Sequence, residues 1–121
     1  MSNNQEKKID RESLVTYHAD TLAKPCGPGV TRRILAYNAK MMAVELTFEQ
    51  GAVGNMHHHP HTQCTYVIQG KFQYQIEDDT VELLPGDSIV IPSEKKHGTL
   101  CLEPGIILDV FTPAREDILL V

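Results

Sequence analysis

Four of the six histidines lie within five consecutive positions, in the stretch NMHHHPHTQC that begins at residue 55. On an extended chain alternate side chains share a face, so His57 and His59 point one way and His58 points the other way. His97 lies far along the chain, directly before the alternating run GTLCL. Neutral imidazole nitrogens bind zinc, nickel, iron and manganese. Two imidazoles on one strand face and a third from a neighbouring strand therefore predict one divalent transition metal, with Ni, Zn, Mn and Fe as the candidates.

Gln63 is a further candidate ligand. It lies four residues beyond His59, after the bend expected at Pro60, and its amide oxygen would be a weaker, uncharged ligand. The alternative is that the cluster is a solvated histidine tract, and the HxH pattern alone favours metal binding only modestly. An expression-tag remnant is disfavoured because the run is internal and is interrupted by a proline. His61 and His18 are interpreted as loop or surface histidines.

The composition is that of a soluble globular domain. The chain has 121 residues, enough for one ordinary domain, with 41% hydrophobic and 22% charged residues. Its formal net charge is −5, from 11 basic and 16 acidic residues, and its paired basic residues are scattered. Binding to a nucleic acid duplex needs a concentrated basic face, so nucleic acid is not an expected partner.

The same sequence lacks the features of a membrane or secreted protein. No apolar run reaches membrane-spanning length, and the N-terminal MSNNQEKKID has no apolar signal-peptide core. A cytoplasmic protein without a membrane partner is expected. The three cysteines, Cys26, Cys64 and Cys101, are an odd number without CxxC spacing, which favours reduced thiols over disulfides or a zinc knuckle.

Period-two alternation recurs along the chain and predicts an all-β fold. Turn residues separate the alternating runs at Gln69-Gly70, Pro85-Gly86 and Glu103-Pro104-Gly105. Many short strands with regular turns are typical of a barrel or a sandwich. Residues 1–12 are predicted to be a polar tail, and residues 13–121 a single domain. The predicted strands are TRRILAY (31–37), KMMAVELTFE (40–49), TQCTYVIQ (62–69), KFQYQIE (71–77), DSIVI (87–91), GTLCLE (98–103) and GIILDVF (105–111).

One short helix is predicted near the C-terminus, in TPAREDILL, residues 112–120. Thr112 is a suitable N-cap, Pro113 suits the first helical position, and the acidic pair after Arg115 suits the first turn. Arg115 itself does not fit, since a cation near a helix N-terminus opposes the macrodipole. Either Arg115 has another role, or it is a solvated arginine with a small energetic cost.

The sequence resembles the cupin family in two motifs. The first, GAVGNMHHHPHTQCTYVIQG over residues 51–70, has Gln63 where the family usually has glutamate. The second, GDSIVIPSEKKHGTLC over residues 86–101, keeps the family's Gly, Pro and His frame, but Glu94 replaces a glycine and Cys101 replaces an asparagine. The resemblance implies a small single-domain cupin, a double-stranded β-helix or jelly-roll barrel. It also implies a metal site at His57, His59, Gln63 and His97.

The sequence LDVFTPAREDIL, residues 108–119, resembles a subgroup of cupins that acts in pectin degradation, the KdgF type. The upstream GVTRRIL and the HPHTQ form of the metal motif are also similar. This resemblance implies a metal-dependent isomerase that opens and ketonises 4,5-unsaturated monouronates, released by pectin or alginate lyases, into linear keto acids. It implies catalytic roles for Asp109 and Arg115, and substrate binding by Phe111 and Arg115. A small sugar acid is the expected ligand, and apolar outer strand faces favour a homodimer.

Read from the residues alone, this segment has two interpretations. Asp109 and Phe111 are two apart and share a strand face, and burial raises the pKa of a carboxyl toward the range useful for acid–base chemistry. Arg115 supplies a planar fork that suits a carboxylate. Alternatively, Asp109 makes a structural ion pair with Arg115 or Arg32, and Phe111 belongs to the core.

Two other functions are compatible with a cupin-like chain. A dioxygenase would need a redox metal with open positions, and Gln63 in place of glutamate changes the ligand field. A non-enzymatic sugar-binding cupin would bind uronates without turnover.

Of the cysteines, Cys101 is expected to be a small apolar filler and Cys64 to face away from Gln63.

Overall fold

The described part of the chain is mostly β-strand, which confirms the all-β prediction. A computed structural model describes residues 11–119, with residues 11 and 12 as backbone only, so most of the predicted tail at residues 1–12 lies outside the described residues. No helix in this range is long and apolar enough to cross a membrane. The elements are α1 (Arg11–Leu14), a 3-10 helix (His18–Asp20), β1 (Lys24–Pro25), β2 (Val30–Asn38), β3 (Met41–Phe48), β4 (Val53–His57), β5 (Thr62–Ile76), β6 (Asp79–Leu83), β7 (Ser88–Ile91), β8 (His97–Thr112) and α2 (Glu116–Leu119).

The strands form one antiparallel sheet around two long strands, β5 and β8. The sheet order is β1-β2-β3-β8-β5-β6, with β4 also pairing with β8 and β7 with β5. β5 and β8 pair along almost their whole length, from Thr62 opposite Thr112 to Ile76 opposite His97. Because β8 also pairs with β3 and β4, side chains from four strands can meet along it.

The turns predicted at Gln69-Gly70 and Glu103-Pro104-Gly105 are wrong, because β5 and β8 continue through these positions. The ladder between the two strands shifts register there, as it does at β-bulges. Gly70 has a φ of 87°, and a Cβ atom at this position would lie 2.5 Å from the carbonyl oxygen of Pro104. Glycine is needed because two backbones approach closely. The turn predicted at Pro85-Gly86 is confirmed.

The buried interior combines two apolar clusters with a polar set. Val67 and Phe72 belong to the first cluster, and Val44 and Phe111 belong to the second. Burying a polar group is costly unless it finds a partner, so buried polar side chains indicate a structural or functional requirement. Within the described range the buried polar and charged residues are His59, Gln63, Thr65, His97 and Asp109.

The C-terminal helix is shorter than predicted. α2 begins at Glu116, three residues beyond Pro113, and Thr112 is the last residue of β8 instead of an N-cap. Ile118 is buried and packs in the second apolar cluster, which holds α2 against the sheet. Arg115 directly precedes the helix, where its charge still opposes the macrodipole, and Asp117 in the first turn forms an ion pair with it.

Candidate metal centre and active site

Three histidines converge at the start of β8. His97 is the first residue of this strand and lies opposite His57 at the end of β4, while His59 follows in the loop before β5. The ring centroids are 4.4 Å apart for His57 and His97, and 5.0 Å apart for His59 and His97. Potential ligand atoms of the three rings all lie within 4.8 Å of one another. The structure thus brings together the three histidines that the sequence indicated, at a separation that can hold one metal ion.

Local backbone bonds orient all three rings. In each histidine, Nδ1 lies at hydrogen-bond distance from the carbonyl oxygen of a residue two positions away. A carbonyl only accepts, so Nδ1 carries the hydrogen and Nε2 keeps its lone pair. Metal-binding histidines commonly have this arrangement. The three bonds run from His57 to Asn55 (2.7 Å), from His59 to His61 (3.1 Å) and from His97 to Lys95 (2.9 Å).

The remaining ring nitrogens fit a metal ion. Nε2 of His97 is buried and has no hydrogen-bond partner among the described residues. Nε2 of His59 lies 3.0 Å from Oε1 of Gln63, although both atoms carry lone pairs in this arrangement. Burial lowers the pKa of His59 and lowers the pKa of His97 to about 4, which favours the neutral, metal-binding form. A divalent cation would satisfy these ring nitrogens and the amide oxygen together.

A chain of hydrogen bonds sets the orientation of the Gln63 amide. Its Nε2 donates to Oγ1 of Thr65 at 2.9 Å, and the Thr65 hydroxyl donates to Oδ1 of Asp109 at 2.6 Å. The amide nitrogen can only donate, so the Thr65 oxygen must accept, and its hydrogen is left for the carboxylate. Oε1 of Gln63 therefore faces the histidines. The metal centre and Asp109 are connected through one threonine.

Asp109 is a buried carboxyl group on β8. It lies opposite Thr65 of β5 and Val44 of β3 in the strand register. Burial raises its pKa to about 6, and the hydrogen bond from Thr65 and the charge of Arg115 partly oppose that rise. Of the described residues, no basic side chain makes an ion pair with Asp109, so the alternative of a structural pair with Arg115 or Arg32 is wrong.

Phe111 and Arg115 lie beside the histidines. The Phe111 ring is buried, and its centroid is 5.7 Å from that of His59. The guanidinium carbon of Arg115 lies 5.1 Å from the Phe111 ring centroid, within cation–π range. Arg115 also makes a two-point contact with Asp117, through Nε to Oδ1 at 3.2 Å and through Nη2 to Oδ2 at 2.6 Å. The guanidinium is therefore held in place before any ligand binds.

Most of these groups line one cavity of about 320 Å³. Ligand pockets in proteins measure about 300–1,000 Å³, so this one suits a small molecule. Its wall combines apolar side chains such as Val44 and Ile107 with a few polar groups that point at a common space. The candidate site residues on the wall are His57, Gln63, His97, Asp109, Phe111 and Arg115.

The family model for the cupin domain matches residues 44–111, a range that contains the histidines, Gln63 and Asp109. The chain belongs to the cupin family. This confirms the family resemblance and the single-domain jelly-roll fold that it implied. Cupins share a fold and differ in chemistry, so the reaction has to be argued from the site itself.

Individual relatives of this cupin narrow the comparison. The chain is 36% identical over 95 residues to the pectin degradation protein KdgF of Dickeya dadantii (strain 3937), which covers 77% of this chain and 86% of that protein. It matches the structure of KdgF from Halomonas sp. with a TM-score of 0.82 at 37% identity, covering 86% and 96% of the two chains. It matches an RmlC-like cupin from Shewanella frigidimarina NCIMB 400 with a TM-score of 0.83 at 36% identity, covering 86% and 94%.

Sequence reasoning missed two polar residues of this cupin's site, Thr65 and Tyr74. Tyr74 lines the cavity, and its hydroxyl interacts with the hydroxyls of Thr65 and Thr99; burial raises its pKa. Both missed residues lie on the inward face of β5. Thr65 is in phase with Gln63 before the irregular register, and Tyr74 is in phase with Phe72 after it. That phase is the signal that could have found them, because alternate residues of one strand share a face.

Of the other histidines, His18 and His58 lie at the surface, whereas the ring of His61 lies beside the metal centre, with its centroid 5.4 Å from that of His59. His18 and His58 contact Glu45 and Glu94 at the surface, each at 2.9 Å. His61 lies in the loop between β4 and β5, where its carbonyl oxygen holds the His59 ring. Of the cysteines, Cys101 is buried in the first apolar cluster and Cys64 is exposed, as expected.

Proposed function

We propose that this cupin is a metal-dependent isomerase that opens and ketonises 4,5-unsaturated monouronates, the products of pectin or alginate lyases, into linear keto acids. One observation carries the proposal: a single cavity is lined by His57, His97 and Gln63 of the metal centre, by the buried Asp109, and by Phe111 and Arg115. The similarity to two KdgF proteins, one of them described as a pectin degradation protein, supports it and favours it over a dioxygenase or a non-enzymatic binding cupin.

The proposed reaction needs only proton movements. The substrate is a cyclic hemiacetal whose ring oxygen joins C1 to C5, with a double bond between C4 and C5 next to the carboxylate. Loss of the C1 hydroxyl proton forms the C1 carbonyl and breaks the bond from C1 to the ring oxygen. The ring oxygen keeps the electron pair and becomes an enolate oxygen on C5. A proton added to C4 then gives the ketone, so no oxidant or reductant is required.

The ligand set suits stabilisation of that developing negative charge. When bound at His57, His59, Gln63 and His97, a divalent metal supplies a Lewis acid to the substrate oxygen. The three imidazoles and the amide are neutral, so the ion would keep its full positive charge. A glutamate in place of Gln63 would neutralise part of it.

Asp109 is the proposed acid–base group. Its carboxyl lines the cavity, and one oxygen is occupied by the Thr65 hydroxyl, which leaves the other for the substrate. In the proposed reaction this oxygen takes the C1 hydroxyl proton and delivers a proton to C4. The raised pKa of Asp109, about 6, makes the group a better base than an exposed aspartate while leaving it able to donate.

Phe111 and Arg115 are the proposed contacts with the sugar. The Phe111 ring offers a flat apolar surface next to His59, against which a pyranose ring can pack. Arg115 still has N–H groups that do not contact Asp117, and these can hydrogen-bond a substrate oxygen that gains negative charge. We assign Arg115 to both substrate binding and charge stabilisation.

The test is a turnover assay with lyase-generated unsaturated monouronate, following loss of the conjugated alkene absorbance. Metal-loaded protein is expected to accelerate that loss well above buffer, without oxygen uptake. Binding of uronates without turnover would overturn the enzymatic proposal in favour of a binding cupin. Oxygen consumption by an iron-loaded protein would instead indicate a dioxygenase.

Assembly and location are parts of the same proposal. Apolar side chains on strands, including Val53, Met56 and Val90, are exposed, which favours a homodimer. Light scattering after size-exclusion chromatography tests this, and a monomer at micromolar concentration would contradict it. A cytoplasmic location is tested by cell fractionation.

A further inference from the structure

Arg32 is an arginine on the cavity wall that the proposed mechanism does not use. It lies on β2 between Val30 and Ile34, which both pack into the apolar clusters, so these alternate residues share the inward face. Its side chain is half-buried and lines the same cavity as His57 and Asp109. The guanidinium therefore belongs to the interior wall and not to the outer surface.

Arg32 differs from its neighbour Arg33 in having no partner among the side chains that the structure describes. Arg33 points the other way and donates from Nη1 to the carbonyl oxygen and the hydroxyl of Thr21, at 2.8 and 2.9 Å. Within the described residues, no carboxylate or carbonyl accepts from the Arg32 guanidinium. A half-buried cation is costly without an anion, so an anionic ligand would supply what the protein does not.

The other charges on the cavity wall do not neutralise Arg32. The cavity carries two arginines and one carboxyl group, in a chain whose net charge is −5. Arg115 already shares its charge with Asp117. Next to Arg32 lies the Cys26 thiol, and burial raises its pKa, so the thiol stays neutral. Of the two arginines on this wall, Arg32 is the one that forms no ion pair with a described residue.

Strand register shows at which level of the cavity Arg32 lies relative to the other site residues. Arg32 lies opposite Leu46, and Leu46 lies opposite Ile107 of β8. Ile107 is two residues from Asp109 and four from Phe111, or about 7 and 13 Å along the strand at about 3.3 Å per residue. Gln63 lies opposite Phe111. Along β8, Asp109 therefore lies between the metal centre and the level of Arg32.

We propose that Arg32 binds the carboxylate of the sugar acid, with the ring extending from there past Asp109 toward the histidines. This assignment rests on the proposed function for the identity of the ligand. A guanidinium fork matches a carboxylate with two parallel hydrogen bonds, which fixes orientation as well as affinity. Arg32 is thereby a specificity-determining residue that selects uronates over neutral sugars and presents C1 and C4 to Asp109.

Kinetics of Arg32→Gln, Arg32→Lys and Arg33→Gln test the assignment in the metal-loaded protein. Since a hydrogen bond to a charged group contributes about 1.5–3 kcal/mol, Arg32→Gln is expected to raise KM for unsaturated monouronate about 10- to 100-fold. Its kcat is expected to change much less. Arg32→Lys keeps the charge without the fork and should fall between wild type and Arg32→Gln. Arg33→Gln removes the same charge one position away and should leave KM unchanged.

A binding measurement separates this inference from the proposed function, because it needs no turnover. Calorimetric titration with saturated galacturonate and with galactose measures the preference for the carboxylate. Wild type and Arg33→Gln should prefer galacturonate, and Arg32→Gln should lose that preference. Folded, metal-loaded Arg32→Gln that retained the preference would overturn the assignment. If wild type shows the Arg32-dependent preference without turnover, the carboxylate site stands and the isomerase proposal fails.

Discussion

The metal ligands and the two arginines of the cavity are held in different ways. Each histidine ring is held by a backbone carbonyl two residues away, and Gln63 is held through Thr65 by Asp109. Of the arginines, Arg115 lies beside the metal centre and is held by one side chain of α2, whereas Arg32 lies beyond Asp109 and has no partner among the residues that the structure describes. The metal ligands are thus fixed by several short local contacts, and the arginines by one side-chain contact or by none among the described residues.

This difference matches the two tasks. A metal ligand set has to be accurate before the ion arrives, since second-shell contacts tune both affinity and ring orientation. A carboxylate site can be completed by the ligand itself, because the substrate brings the missing charge. Substitutions of the metal ligands are therefore expected to abolish function, and substitutions of Arg32 or of the residue that holds Arg115 are expected to weaken binding by graded amounts.

The largest effect is expected from His97→Ala. This change removes one of three imidazoles, so the protein should lose both its metal and its turnover. His58→Ala is the matched control, because His58 points outward to Glu94 and should retain metal and activity. Metal content by elemental analysis and the uronate assay measure the two outcomes. Full activity in metal-free His97→Ala would remove the ion from the mechanism.

The next effect is expected from Asp109→Asn. The asparagine oxygen can still accept from Thr65, so the fold and the bound metal should be retained. Loss of the acid–base group should lower kcat by about 100- to 10,000-fold. Asp79→Asn, an exposed substitution on β6, is the control for loss of a carboxylate. A fully active Asp109→Asn protein would contradict the assignment of Asp109.

Thr65→Val tests whether the hydrogen-bond chain positions Gln63. The change removes the acceptor for the Gln63 amide and the donor to Asp109 while keeping the shape of the side chain. Metal affinity is expected to fall about 10- to 100-fold, as for other second-shell contacts of metal ligands.

The control for this prediction is Thr62→Val, an exposed threonine on the same strand. Competition with a chelating dye measures metal affinity, and it reports on positioning separately from turnover. Unchanged affinity in folded Thr65→Val would show that Gln63 needs no support from Thr65.

Five of the strands, β2, β3, β5, β7 and β8, were predictable from sequence because alternation is a local property, whereas β1, β4 and β6 were not predicted. The prediction of turns failed because of tertiary structure. Residues such as Gln69-Gly70 and Glu103-Pro104-Gly105 often form turns, yet here the two paired strands β5 and β8 continue through them. Gly70 allows a second backbone to approach closely, and this approach is visible only in the folded chain. Likewise, Pro113 predicts a helix start from sequence, although β8 extends to the residue before it.

For the site, the sequence identified the metal-ligating residues better than the residues that hold them or the substrate in position. Histidines are rare enough that their spacing is informative, and Asp109 is conspicuous among apolar neighbours. Thr65 and Arg32 are common residue types in ordinary strands, and neither is unusual until the register places Thr65 opposite Asp109 and Arg32 on the cavity wall. Their roles depend on which strands become neighbours, and alternation within one strand carries no information about that.

The smallest effect is expected from Asp117→Asn, which loosens Arg115 without removing it. The Asp117 side chain is 57% exposed and that of Arg115 is 17% exposed, so solvent screens the pair and its energy is small. Exposed ion pairs contribute up to about 1 kcal/mol, so KM should rise less than about 5-fold and kcat should fall by a similar factor. Steady-state kinetics at low and high salt measure this, with Glu116→Gln as the control on the same helix. A loss as large as that of Asp109→Asn would show that Asp117 acts on the reaction directly, and the position of Arg115 would then be as tightly constrained as the metal ligands.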